Sequence, residues 1–88
     1  MDDNLEISFN SALTDLDGLS NLASVVGYVL IRHNALLSNL DGLVALASVG
    51  EYLSIEYNDD LIVLDGLSSL ASVGGYLAIG SNAVLLDV

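Results

Sequence analysis

The sequence contains no cysteine, no proline and no tryptophan, and Arg32 is its only lysine or arginine. Without cysteine, neither a disulfide framework nor a thiolate metal site can form, and the redox compartment stays undetermined. Twelve acidic residues against Arg32 leave a net charge of −11. That charge argues against nucleic acid and anionic membranes as partners and favours solubility.

Long apolar runs are absent as well. The longest, around residues 25–31, is far too short to span a bilayer. Residues 1–4 do not form a basic region followed by an apolar one, so no signal peptide is predicted in this chain. With 53% hydrophobic residues, the chain still has ample apolar material for a core.

The sequence repeats itself with a period of 24 residues: the tripeptide Asp-Gly-Leu occurs at residues 17–19, 41–43 and 65–67. Complete units run over residues 17–40, 41–64 and 65–88, and residues 5–16 match the second half of a unit. Such a period is typical of a solenoid, in which each unit buries its apolar face by stacking on its neighbours. We therefore predict a single solenoid domain over residues 1–88.

Each unit contains one half-buried strand. Residues 52–56 alternate apolar and polar side chains, and their counterparts in the other units are residues 4–8, 28–32 and 76–80. Stacking would make these four strands parallel, about 4.8 Å apart. The preceding segment, residues 18–25 in the first unit, has the spacing of a short helical or 3₁₀ turn. Glycines are predicted to permit the turn into each strand. Two columns of apolar side chains are predicted to point inward: Leu5, Val29, Leu53 and Leu77, and Ile7, Ile31, Ile55 and Ile79. The glycines before the strands are Gly27, Gly50, Gly74 and Gly75.

One asparagine holds the same position after every strand. The set is Asn10, Asn34, Asn58 and Asn82. Buried there, an asparagine can satisfy turning backbone groups and bond to its stacked neighbours as a ladder. We predict a structural ladder, in which Asn58→Ala destabilises more than Asn82→Ala because Asn82 lies in the last unit.

These positions carry a resemblance. The run Leu53-x-Ile55-x-x-Asn58-x-x-Leu61 is similar to part of the leucine-rich repeat. With Leu-Asp-Gly-Leu and Ala-Ser-Val-Gly-Gly before the strand, the unit more closely resembles the repeats of receptor L-domain-like and bacterial surface leucine-rich proteins. The resemblance covers essentially the whole chain. It implies a right-handed solenoid, a cell-surface or extracellular location, and binding of a protein or glycan by a sheet face.

The outward side of the strands is the candidate binding face. Aromatic residues in register stabilise a sheet, and rigid aromatics are also good anchors for a partner. Arg32 beside Glu56 is predicted to form a weak surface ion pair. The outward columns are Tyr28, Tyr52 and Tyr76; Ser8, Arg32, Glu56 and Gly80; and Phe9, His33, Tyr57 and Ser81.

A column of aspartates, Asp17, Asp41 and Asp65, has two interpretations. Each aspartate can cap the short turn that follows it, which we favour. Alternatively, the column binds calcium with help from neighbouring acids, since calcium takes several oxygen ligands. Those neighbours are Asp15, Asp59 and Asp60.

No constellation in the sequence predicts catalysis or a cofactor. His33 is the only histidine, and no motif ties a serine or an acid to it. Serines recur at positions 24, 48 and 72 because the unit recurs. The glycines at 74 and 75 precede a strand, so they do not form a phosphate-binding loop. We predict a protein that is not an enzyme.

Two functional classes remain open. The first is a module that binds a protein or glycan through the outward face. The second is an assembly element that forms a homodimer about a twofold axis through its uncharged C-terminal edge strand. The residues of that edge are Tyr76, Leu77, Ala78, Ile79, Gly80 and Ser81.

Overall fold

The computed structural model describes residues 3–62, 64–80 and 82. Its elements recur in a fixed order: a three-residue 3₁₀ turn, a two-residue strand and a four-residue strand. No helix in these residues is long and apolar enough to cross a membrane. In chain order the elements are β1 (Leu5–Ser8), η1 (Asp17–Leu19), β2 (Ser24–Val25), β3 (Val29–Arg32), η2 (Asp41–Leu43), β4 (Ser48–Val49), β5 (Leu53–Glu56), η3 (Asp65–Leu67), β6 (Ser72–Val73) and β7 (Leu77–Gly80).

The larger sheet has four parallel strands in the order β1-β3-β5-β7, as predicted. Each strand pairs with the equivalent residues of the next unit, so Val29 pairs with Leu5 and with Leu53. Period-two alternation then sends the leucine and isoleucine columns to the inner side of the sheet. Parallel strands in register with short 3₁₀ turns between them are compatible with a solenoid.

A second sheet, with the parallel order β2-β4-β6, was not predicted. The prediction of a helical turn over residues 18–25 is correct only for its first part, because η1 ends at Leu19. The Leu22 N–H still donates to the Leu19 carbonyl at 2.9 Å, but from Ala23 on the backbone bonds to the next unit: the Ala47 N–H donates to the Ala23 carbonyl at 2.8 Å. The β-branched Val25, with 1% of its surface exposed, suits such a strand.

The core lies between the two sheets and the 3₁₀ turns, and it is most complete in the middle of the stack. Leu40, Leu43 and Leu46 have no exposed surface. At the C-terminal end, by contrast, Leu77 is 55% exposed. Burial of the apolar side chains is therefore most complete in the units that have a neighbour on both sides.

The glycines serve a purpose different from the predicted one. No described glycine has a positive φ, so none is needed for a turn conformation. A Cβ atom at Gly50 would instead overlap the Val26 carbonyl oxygen, and one at Gly42 would overlap the Leu16 carbonyl oxygen. These glycines are needed because the backbones of adjacent units approach too closely for a side chain.

Candidate functional site

The first feature of the outward face is a stack of three tyrosine rings next to the start of the strands. The ring centroids of Tyr28 and Tyr52 are 4.7 Å apart, and those of Tyr52 and Tyr76 are 4.8 Å apart. The planes differ by 6° and 2°. This spacing equals the distance between parallel strands, so the repeat itself sets the stack.

A second stack lies at the other end of the strands. The His33 ring sits between Phe9 and Tyr57, with centroid distances of 4.6 Å and 4.8 Å. All three residues have left-handed backbones, with φ between 57° and 58°. Bulky side chains rarely adopt that conformation, and the surrounding structure must hold it. The fourth predicted member of this column, Ser81, lies outside the described residues.

The left-handed residues decide where the side chains after each strand point. Tyr57 remains 47% exposed, whereas the next residue, Asn58, is fully buried. A single left-handed residue thus ends the strand and turns the following asparagine into the interior. No glycine or asparagine occupies this position to signal it, which is why the sequence did not predict the turn geometry.

Arg32 lies between the two stacks, and its predicted ion pair with Glu56 is not present. Within the described residues, Arg32 has no carboxylate close enough for an ion pair, although β3 and β5 place it opposite Glu56. The Glu56 carboxylate accepts instead from the Ser54 hydroxyl at 2.8 Å. The Arg32 guanidinium carbon is 5.8 Å from the centroid of the Phe9 ring, and its Nε is buried without a hydrogen-bond partner.

Tyr52, in the centre of the tyrosine stack, has a perturbed hydroxyl. Partial burial raises its pKa above the ordinary value, and the neighbouring Tyr28 and Tyr76 hydroxyls raise the pKa further. The carboxylates of Glu6 and Glu51 act in the same direction. The face therefore favours the neutral form of the phenol at this position.

The asparagine column forms a hydrogen-bonded ladder behind the second stack. The Asn34 side-chain nitrogen donates to Asn58 Oδ1 at 3.1 Å, and the Asn58 nitrogen donates to Asn82 Oδ1 at 3.2 Å. Asn10 donates to Asn34 in the same way, at 3.2 Å. Asn34 and Asn58 are fully buried, and Asn82 is 8% exposed.

This ladder has a direction. The Oδ1 atoms of Asn34, Asn58 and Asn82 each accept from both the backbone N–H and the side-chain nitrogen of the asparagine one unit earlier. The side-chain nitrogens of these three asparagines also donate back to a strand carbonyl, for example from Asn58 to Ile31 at 3.1 Å. Donors therefore point towards the C-terminal end of the stack and acceptors towards the N-terminal end.

The aspartate column does not cap the 3₁₀ turns as predicted. The N-cap positions are Leu16, Leu40 and Leu64, and no side chain caps them. The Asp17 N–H donates to Asp15 Oδ1 at 3.1 Å, and the Asp41 N–H donates to Asn39 Oδ1 at 3.0 Å. The residue two positions earlier can reach that N–H in an Asx turn, which leaves the Asp17 and Asp41 carboxylates exposed.

The predicted calcium site is not assembled. Within residues 3–62, 64–80 and 82, no group of three or more acidic or histidine side chains lies close enough to hold a metal ion. Asp15, Asp59 and Asp60 are exposed, as are the aspartates of the 3₁₀ turns.

The predicted dimer edge is the outer strand β7. Tyr76 is 59% exposed, and Ala78, Ile79 and Gly80 are half-buried. Ser81, also part of the prediction, lies outside the described residues. A shallow depression beside β7 at this end of the stack is lined by Leu64, Asp65, Leu67, Ser68, Leu70 and Leu77.

The recurring serines form a column of the smaller sheet, where Ser48 pairs with Ser24 and with Ser72.

A comparison of the chain with protein-family models, with the sequences of characterised proteins and with solved structures gave no match. The contacts of the described residues therefore carry the functional inference.

Proposed function

We propose that this chain is a non-catalytic protein-binding module whose binding surface is the outer face of the larger sheet. The observation that carries the proposal is the placement of the two ring stacks along opposite ends of the strands, with Arg32 between them and, among the described residues, no carboxylate paired with it. Aromatic residues and arginine are enriched at interfaces and dominate their binding energy. Because the stacks hold these rings in register, less side-chain conformational entropy is lost when a partner binds.

The stacking geometry favours a protein partner over a glycan. The rings cover one another's faces, so Tyr52 and His33 present only their edges to a partner. Ring edges carry partial positive charge and attract carbonyl and carboxylate oxygens. The Arg32 guanidinium, which has no carboxylate partner among the described residues, adds a donor for the same groups. A polypeptide with acidic side chains supplies both.

We propose a right-handed solenoid of the leucine-rich, receptor L-domain-like type, acting at the cell surface. It is supported by the inward Leu53 and Ile55, by the buried Asn58 and by the sheet register between units. A sheet face that binds a partner agrees with that resemblance.

The test is a selection for ligands with a matched set of variants. A peptide library displayed on phage is selected against the immobilised chain, and the enriched peptides are titrated against Tyr52→Ala, Tyr57→Ala and Val44→Ala. Val44 is 43% exposed but follows η2, outside the larger sheet, so Val44→Ala is the control. Urea unfolding of each variant verifies that the fold is intact.

We expect both tyrosine variants to lose at least about thirtyfold in peptide affinity, since truncating a hot-spot residue costs at least about 2 kcal/mol. Val44→Ala should bind as the original chain does. Peptides that bind all three variants equally well would contradict the proposal. Binding to a glycan array instead of to peptides would favour the glycan alternative.

A further inference from the structure

The outer face of the larger sheet is nearly flat along the stack. Successive rings in its two stacks differ in plane by only 2° to 8°, whereas neighbouring strands of an ordinary sheet are rotated by about 20 to 25°. The face lies along the side of the stack, so a further unit would extend it and would not cover it. A second sheet with the same strand spacing can therefore meet this face strand by strand.

Charge alternates between the strands of this face. Glu6 on β1 and Glu56 on β5 are the only acidic residues within the four strands, whereas β3 carries Arg32 and β7 has no charge. The residues just before the strands follow the same rule. Asp3 and Glu51 precede β1 and β5, and glycine occupies both equivalent positions before β3 and β7. Each acidic strand therefore lies next to a strand without an acid.

This alternation makes the face complementary to itself. A twofold axis parallel to the strands, midway between β3 and β5, places β3 of one copy opposite β5 of the other and β1 opposite β7. Because Arg32 and Glu56 are in register, Arg32 of each copy then faces Glu56 of the other. Glu6 faces Ala78, its counterpart three units on. No two carboxylates of the strands oppose each other in this arrangement.

Other arrangements of two such faces lack this match. An axis over β3 would place Arg32 opposite Arg32, and an axis over β5 would place Glu56 opposite Glu56. An axis along the stack, through the middle of the strands, would place Glu6 opposite Glu6. Because like charges that oppose each other across an interface are costly, charge selects the axis between β3 and β5.

We propose that the partner of the outer face is a second copy of this chain, bound face to face about the twofold axis between β3 and β5. This inference rests on the proposed function, because it names the protein that the face binds. Two ion pairs between Arg32 and Glu56 form across the contact. The Ser54 hydroxyl holds only Oε1 of Glu56. Its Oε2 accepts no bond within the described residues, so it is available to the guanidinium of the other copy.

The ring stacks meet across the same axis. Tyr28 faces Tyr52 of the other copy, and His33 faces Tyr57, because each pair is related by one unit. A phenol can both donate and accept a hydrogen bond, so the facing tyrosine hydroxyls can bond to each other. Partial burial raises the pKa of Tyr52, which keeps its phenol protonated for that bond.

The test exchanges the two charges, first separately and then together. Arg32→Glu alone opposes two carboxylates at each ion-pair site, and Glu56→Arg alone opposes two guanidinium groups. An equimolar mixture of the two variants restores both pairs between unlike copies, and the double variant restores them between like copies. Asp41→Arg is the control, because it changes the net charge as Glu56→Arg does but lies on η2, away from the outer face.

Sedimentation equilibrium measures association at about 0.15 M salt, where a screening length of about 8 Å weakens the long-range repulsion between two acidic chains. Native mass spectrometry identifies the mixed dimer, because the two variants differ in mass. Both exchanged side chains are half-buried on the face and lie outside the core. Circular dichroism verifies that each variant is folded.

We expect the original chain and Asp41→Arg to form dimers of twice the 9.2 kDa chain mass. Each single variant should associate at least about tenfold more weakly, and the mixture should recover a one-to-one heterodimer. Single variants that dimerise as tightly as the original chain, or a mixture that stays monomeric, would overturn the proposal.

An original chain that stays monomeric at high micromolar concentration also overturns the dimer, and the peptide selection then decides the proposed function separately. Selected peptides that lose affinity for Tyr52→Ala and Tyr57→Ala would leave the outer face as a binding surface for a different protein. Peptides that bind these variants unchanged would remove the binding surface together with the dimer.

Discussion

Asn58→Ala tests the direction of the asparagine ladder. Removing this side chain leaves the Asn34 N–H without its acceptor and takes away one partner each from the Asn34 side-chain nitrogen and the Ile31 carbonyl. A buried group left unpaired costs about 1 to 3 kcal/mol. Because Asn34 keeps its bond to Ile7, we expect a total destabilisation of roughly 3 to 5 kcal/mol.

Asn10→Ala is the matched control, at the acceptor end of the same ladder. It removes one donor from an exposed side chain, and Asn34 Oδ1 still accepts from the residue-10 backbone N–H at 3.2 Å. The expected cost is below about 1 kcal/mol. Asn82→Ala, in contrast, deprives the buried Asn58 N–H and side-chain nitrogen of their acceptor. Its cost should approach that of Asn58→Ala, which differs from the milder effect predicted from its place in the last unit.

Urea unfolding followed by circular dichroism measures these differences. With a slope of about 1 to 2 kcal/mol per M, a loss of 3 kcal/mol moves the midpoint by roughly 2 M. Asn58→Ala should show that shift and Asn10→Ala should show almost none. Equal shifts for the two variants would refute the directional ladder, and negligible shifts for Asn58→Ala and Asn82→Ala would remove the ladder as a source of stability.

Two further predictions concern the turns and the tyrosine stack. Gly42→Ala should be severely destabilising in a thermal melt, because the added Cβ would overlap a backbone carbonyl. Gly18→Ala should be neutral or stabilising by up to about 1 kcal/mol, because a Cβ added there has no neighbouring atom within 4 Å. Equal effects of the two variants would contradict the close approach of the units. Because Tyr52 has a raised pKa in the folded chain, its contribution to stability is complete below about pH 10 and is lost as pH rises through the folded value. Tyr52→Phe should therefore reduce the alkaline loss of stability and remove, from an absorbance titration, one phenol that ionises above the ordinary tyrosine pKa; an unchanged titration would contradict the assignment.

Much of the architecture could be predicted because one period governs it. A strict 24-residue repeat places Leu53 over Val29 and Asn58 over Asn34, so strand register and both ring stacks follow from counting. The second sheet could not be predicted in this way, because two-residue strands such as Ser24–Val25 carry no period of their own. They form because the backbone of the neighbouring unit provides hydrogen-bond partners beside the same residues, as between Ala47 and Ala23.

The sequence by itself thus determined which residues form columns, since identical units must repeat identical contacts when they stack. The tertiary structure decided what those columns do. It placed Tyr57 at a positive φ, left Arg32 without its expected partner Glu56, and set the direction of the asparagine donors. These outcomes depend on competition among neighbouring hydrogen-bond partners and on the close approach of backbones, which exist only after the units have packed.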